Sequence, residues 1–121
     1  MHRAQEQVRD FHRAIGARRP PRLDPDWNDI YDLRLKLIRE EVDELIEAAD
    51  HFDVPGCAQE MSDILYVVYG MAVAMGIDLE KAFEEVHRAN MEKVGGPKRA
   101  DGKQLKPYDW DPPHIKEDWC T

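Results

Sequence analysis

Residues 28–52, NDIYDLRLKLIREEVDELIEAADHF, decide the fold. On a helical wheel at about 100° per residue, Ile30, Leu33, Leu37, Leu45 and Ala48 align in one apolar stripe. Leu35, Val42, Ile46 and Ala49 form a second stripe on roughly the opposite side. Only Asp32, Lys36, Asp43, Glu47 and Asp50 remain as a narrow polar wedge. A helix with apolar residues on two sides expects cover from two directions. In a chain of 121 residues, too short for a large core, this predicts association with copies of itself, as a homodimer or homotetramer.

Glu41 and Glu44 fall in the middle of the first stripe. The segment that follows repeats the anomaly. Asp53 and Pro55 restart the chain as a helix that Gly76 ends, and its only charged residues are Glu60 and Asp63. Glu60 shares a face with Ile64, Val67 and Met71. Burying an ionised carboxylate without a partner costs several kcal/mol, so four such groups require cations or protons. The i, i+3 spacing puts each pair on one helix face, and antiparallel packing of the two helices lets the pairs converge. Such a cluster, without thiol or grouped imidazole, suits a hard cation such as Mg²⁺ or Mn²⁺. The bland alternative is a solvated Glu-rich face, which does not explain acids set on apolar stripes. Glu40 flanks the stripe and reads as a general base, a further ligand or a surface residue.

Elsewhere the pattern is helical as well. Val8, Phe11, Ala14 and Ile15 recur at helical spacing between His2 and Ile15, with Gly16 placed to stop the helix. Residues 17–28 hold three prolines and read as a loop. Asp78 is a good cap for a last helix reaching Val94, before Gly95, Gly96 and Pro97 break it. No alternating run suggests a strand. The expected fold is all-α, a four-helix bundle-like protomer in one domain, 1–121, with an ordered C-terminal arm over about 95–121.

On the last helix Leu79, Phe83 and Val86 define a buried face, and the same line continues into Asn90 and Lys93. Either an amide and an ammonium enter a cleft there, or the helix end emerges into solvent. Between Lys93 and Lys106 five basic residues (Lys93, Lys98, Arg99, Lys103, Lys106) accompany one acid, Asp101. That asymmetry steers anions, and Trp110 and Trp119 favour a docked arm over a free tail. Glu84 and His87 form a single ExxH pair, whereas redox di-iron bundles use two. Trp27 and Phe11 are the aromatics that would stack on a base, although such residues are more often core.

The formal charge of −8 argues against nucleic-acid binding. Ile64–Ile77 is the longest uncharged run and falls short of a membrane span. Cys57 and Cys120 lack disulfide or metal spacing, and no leader-like segment opens these residues, so a cytoplasmic setting is expected.

Glu40-Glu41-x-x-Glu44 followed by Glu60-x-x-Asp63 resembles the EExxE…ExxD signature of the all-α NTP pyrophosphohydrolases, the MazG and dimeric dUTPase superfamily. Asn90-Met-Glu-Lys93 and DGKQLKPYDWDPP resemble the NxxK and GKxxKPxxWxPP endings of small MazG-like members, including stand-alone phage proteins whose setting is the host cytoplasm. The resemblance implies hydrolysis of a nucleoside triphosphate to monophosphate and diphosphate in a homo-oligomer, with two or three Mg²⁺ or Mn²⁺ ions per site. By the same resemblance Glu41, Glu44, Glu60 and Asp63 ligate metal, and Glu40 or Glu41 handles the attacking water. Asn90 and Lys93 grip phosphates, helped by Lys103 and Lys106 from the arm. The substrate order is dGTP or GTP, then dUTP, with phosphoribosyl-ATP a third. A nucleotide-sensing bundle without turnover is the competing class.

Overall fold

The computed structural model describes residues 1–19, 26 and 28–120, so Trp27 lies outside the described residues. Four α-helices make up its regular structure: α1 (Arg3–Ile15), α2 (Asn28–Asp50), α3 (Val54–Met75) and α4 (Leu79–Met91). A 3₁₀ turn, Glu117–Trp119, lies near the end of the arm. Among the described residues there is no strand, only two isolated bridges, Ile77 to Cys120 and Lys98 to Gln104.

Local chemistry sets most of the boundaries. α1 ends where Gly16 adopts φ 66°, a left-handed conformation that glycine enters without a Cβ penalty. Asp53 caps α3 by accepting from the Gly56 N–H at 3.0 Å, with Pro55 in the first turn. Asp78 caps α4 by accepting from the Glu80 N–H.

Two ends differ from the sequence expectation. α2 stops at Asp50 rather than Phe52, because Phe52 takes φ 51° and the Asp53 N–H turns back to the Ala48 carbonyl at 3.0 Å. α4 stops at Met91 rather than Val94, where the Lys93 and Val94 N–H groups bond to the Asn90 and Met91 carbonyls in tight turns.

α2 and α3 form the main helix pair, and α1 lies on α3. The pair is antiparallel: Glu44 and Ala48 share a cleft with Gly56 and Glu60, while Arg34 lies near Gly70 at the opposite end. Gly70 permits the α1–α3 approach, since a Cβ there would meet the His12 ring at 3.3 Å. The core is small: Val8, Ile30, Ala72, Val73, Ala74 and Ala89.

Gln5 joins α1 to the α3–α4 turn. Only 1% exposed, it donates from Nε2 to the Ile77 carbonyl at 2.6 Å and accepts from the Leu79 N–H at 3.1 Å.

The arm is docked on α4, which has the tail as its main neighbour. Trp110 Nε1 donates to the Ala89 carbonyl at 2.6 Å. Arg88 pairs with Glu85 and Glu92 and donates to the Pro112 carbonyl. Gln104 donates to the Lys93 and Gly96 carbonyls, closing the loop after α4. The tail returns to the α3–α4 turn, where the Asp78 N–H bonds to the Trp119 carbonyl at 2.8 Å.

Among the described residues the second stripe of α2 is uncovered, with Leu35, Val42 and Ile46 all exposed, and the expected buried face of α4 is open as well, since Phe83 and Val86 are exposed within one chain. No helix among the described residues is long and apolar enough to cross a membrane.

Candidate functional site

The packing of α2 on α3 brings Glu41 together with Glu60 and Asp63. Glu41, Glu60 and Asp63 each place a carboxylate oxygen within 4.8 Å of the others, all three half-buried. Oε2 of Glu41 and Oε2 of Glu60 are shut off from solvent and accept no hydrogen bond. Glu44 is exposed and stands at the rim, in an open cleft of about 380 Å³ shared with Glu47, His51, Gln59 and Glu60.

The protonation of the cluster reflects crowding of like charge. Burial pushes the Glu60 carboxyl up to about 7, helped by contact with Glu44 and Glu41 and by the negative charges of Glu44 and Asp63. Burial also raises Glu41, opposed by its contact with Glu60 and reinforced by Glu44 and Asp63. Among the described residues no lysine, arginine or histidine forms an ion pair with any of these four acids.

Three carboxylates with oxygens within 4.8 Å of one another, two of them carrying a buried oxygen without a partner, form an oxygen-only donor set. This fits a hard divalent cation, which would give those oxygens the partner they lack.

The other residues named from the sequence are dispersed. Glu40 and Asn90 are exposed. Lys93 and Lys106 converge on a single indole, their Nζ atoms 5.0 and 5.6 Å from the Trp110 ring centre. Lys103 lies in the arm, where its carbonyl accepts from the Arg99 N–H. Among the described residues none of these groups bonds to the acidic cluster. Phe11 is 46% exposed and meets the Tyr66 ring edge-on at 5.7 Å. His87 and Glu84 are both exposed.

The meeting of Lys93 and Lys106 escaped the sequence reading, although Trp110 in a Pro-rich segment was its visible signal. Arg9, Arg13 and Arg19 were also overlooked. Their common cavity is assembled across α1 and the segment after it.

The family model for phosphoribosyl-ATP pyrophosphohydrolase matches residues 8–90, well over half of the chain. The chain belongs to the phosphoribosyl-ATP pyrophosphohydrolase family. Its MazG-like, all-α character agrees with the motif resemblance. The family match contains all four acids and ends on Asn90, leaving Lys93 and the arm beyond it.

An uncharacterized protein of Acanthamoeba polyphaga mimivirus is 40% identical over 65 residues, covering 54% of this chain. The match spans about a quarter of that viral protein, 24% of its length.

Proposed function

We propose that this member of the phosphoribosyl-ATP pyrophosphohydrolase family is a divalent-metal-dependent nucleoside triphosphate pyrophosphohydrolase, releasing a monophosphate and diphosphate. The observation that carries the reading is the convergence of Glu41, Glu60 and Asp63, with two buried oxygens left unpartnered.

Glu41, Glu60 and Asp63 hold Mg²⁺ or Mn²⁺, two to three ions per site, with Glu44 adding a donor from the rim. The bound ions supply charge neutralisation for the triphosphate and lower the pKa of water. Glu40, free at the surface one residue before Glu41, takes the proton from the attacking water, with Glu41 the second candidate for that role. Attack at a phosphorus of the α–β bridge breaks the phosphoanhydride, and the diphosphate leaves with its charge already countered.

Asn90, Lys93, Lys103 and Lys106 bind phosphate oxygens. Since none of these groups bonds to the acids among the described residues, they act on the acidic site of a second copy. The uncovered apolar residues of α2 and α4 supply the contact for a homodimer or homotetramer. Phe11 and Trp27 contribute to base recognition. The net charge of −8 disfavours nucleic acid as a partner, and the reduced cysteines fit a cytoplasmic setting.

dGTP or GTP is the first substrate and dUTP the second. Phosphoribosyl-ATP is the competing reading, favoured by the family match itself. A panel of nucleotides with diphosphate detection tests the proposal. Metal-dependent diphosphate from at least one triphosphate supports it, and tight metal-dependent binding without turnover would favour a nucleotide sensor instead.

A further inference from the structure

The first nineteen residues carry Arg3, Arg9, Arg13, Arg18 and Arg19 in a chain whose net charge is −8. Three of these, Arg9, Arg13 and Arg19, line two adjoining hollows between α1 and the C-terminal end of α3. A cavity of about 310 Å³ is bounded by Arg9, Arg19, Ile77, Lys81 and Trp119 among others. A neighbouring cavity of about 140 Å³ is bounded by Arg9, His12, Arg13 and Arg19, and both share Val73.

Among the described residues no carboxylate lines the smaller cavity. The larger includes Asp118 and Asp78, but Asp78 is engaged by the Glu80 N–H and lies 3.6 Å from the Met1 ammonium. Arg9 Nε is closed off from solvent and has no hydrogen-bond partner, while its Nη1 reaches only Met1 Sδ at 4.0 Å. Among the described residues Arg13 and Arg19 form no ion pair. The negative pole at the end of α1 accounts for Arg13, but not for Arg9 or Arg19.

We infer that this hollow is a second anion site, which takes the phosphate of a small phosphate ester through Arg9, Arg13 and Arg19. Guanidinium forks match phosphate oxygens two at a time, and the buried Arg9 Nε gains the acceptor it lacks. Trp119, Ile77 and Val73 offer apolar surface for the sugar or base that carries the phosphate. The site is distinct from the acidic cluster: Val73 follows Asp63 by ten residues, about 15 Å along α3 at the usual helical rise.

The phosphate has two possible sources, the far end of a doubly anionic substrate or a separate phosphorylated effector. The first experiment is an amide NMR titration of the full chain with ribose 5-phosphate in EDTA, with ribose as the control. Shifts are expected near Arg13, Gly16 and Val73 with the phosphate ester and not with ribose. The double variant Arg13→Ala/Arg19→Ala, at two exposed positions, should weaken binding by about tenfold or more, because two charge-assisted contacts to the phosphate are lost. Glu60→Gln should leave it intact. Absence of binding, or binding that survives the arginine changes and fails with Glu60→Gln, would overturn the site.

Kinetics separate the two sources. A substrate phosphate predicts that the double variant raises KM for phosphoribosyl-ATP while the KM for dGTP holds. An effector predicts that ribose 5-phosphate changes dGTP turnover in the wild type and not in the variant. The binding readout needs no hydrolysis, so an inactive enzyme and an absent anion site give different results.

Discussion

Glu41 and Glu60, on antiparallel helices, bring carboxylate oxygens within 4.8 Å of each other, and the Oε2 atom of each is closed to solvent and accepts no hydrogen bond. In the metal-free chain the proton on Glu60 relieves that crowding, because its carboxyl is raised to about 7. The folded form therefore keeps a proton that the unfolded chain has already lost. Its stabilising contribution is present at low pH and lost as pH rises from about 4.5 to about 7. In EDTA, wild type minus Glu60→Gln should show a melting-temperature difference that moves against the wild type over that window. Saturating Mg²⁺ or Mn²⁺ should reverse the trend. A difference flat with pH would contradict the crowding.

His12 behaves in the opposite sense. Burial first, and then the positive charge of Arg34, hold its imidazole below the ordinary value of 6.5. Arg34 Nη1 lies 3.3 Å from His12 Nε2. Folding thus favours the neutral ring, and the contribution is present above pH 6.5 and lost as pH falls through the folded-state value. His12→Gln should remove this acid-side slope from melting curves, and NMR should find the ring titrating below pH 6.5.

Gln5→Ala strands the Ile77 carbonyl and the Leu79 N–H at a tight turn. A loss of about 2–3 kcal/mol in urea unfolding is expected for two buried groups left without partners. A loss of a few tenths would show that water replaces the amide.

Much of this was legible in advance, and the limits are physical. The acids that converge, Glu41, Glu60 and Asp63, were readable because charge on an apolar stripe contradicts the pattern around it, whereas the exposed position of Glu44 was not. The helix starts at Asp53 and Asp78 were readable because caps are local chemistry. The end of α2 was not, since Phe52 enters the left-handed region without a glycine or asparagine to announce it. The convergence of Lys93 and Lys106 on Trp110 depends on how the arm folds back, which wheel geometry does not encode.

Trp110→Ala should release the arm by removing the bond to Ala89 and the surface that gathers the two ammonium groups. Faster tryptic cleavage at Lys98 and Lys103 is expected, with a higher KM. Unchanged proteolysis would show that Arg88 and Gln104 hold the arm without it.

Val42→Glu/Ile46→Glu places charge on the uncovered face of α2. Light scattering should show the oligomer dissociating, with activity falling alongside it as the arm loses its partner site. Full activity in a monomer would mean that the arm serves its own acids.

The most direct test of the account is diphosphate release from dGTP, GTP, dUTP and phosphoribosyl-ATP, with Mn²⁺ or Mg²⁺ and with EDTA, in the wild type and in Glu41→Gln. The account predicts release from at least one substrate with metal, none in EDTA, and a loss of at least about a hundredfold in the folded variant. Release that persists in EDTA, or in Glu41→Gln at the wild-type rate, would contradict it.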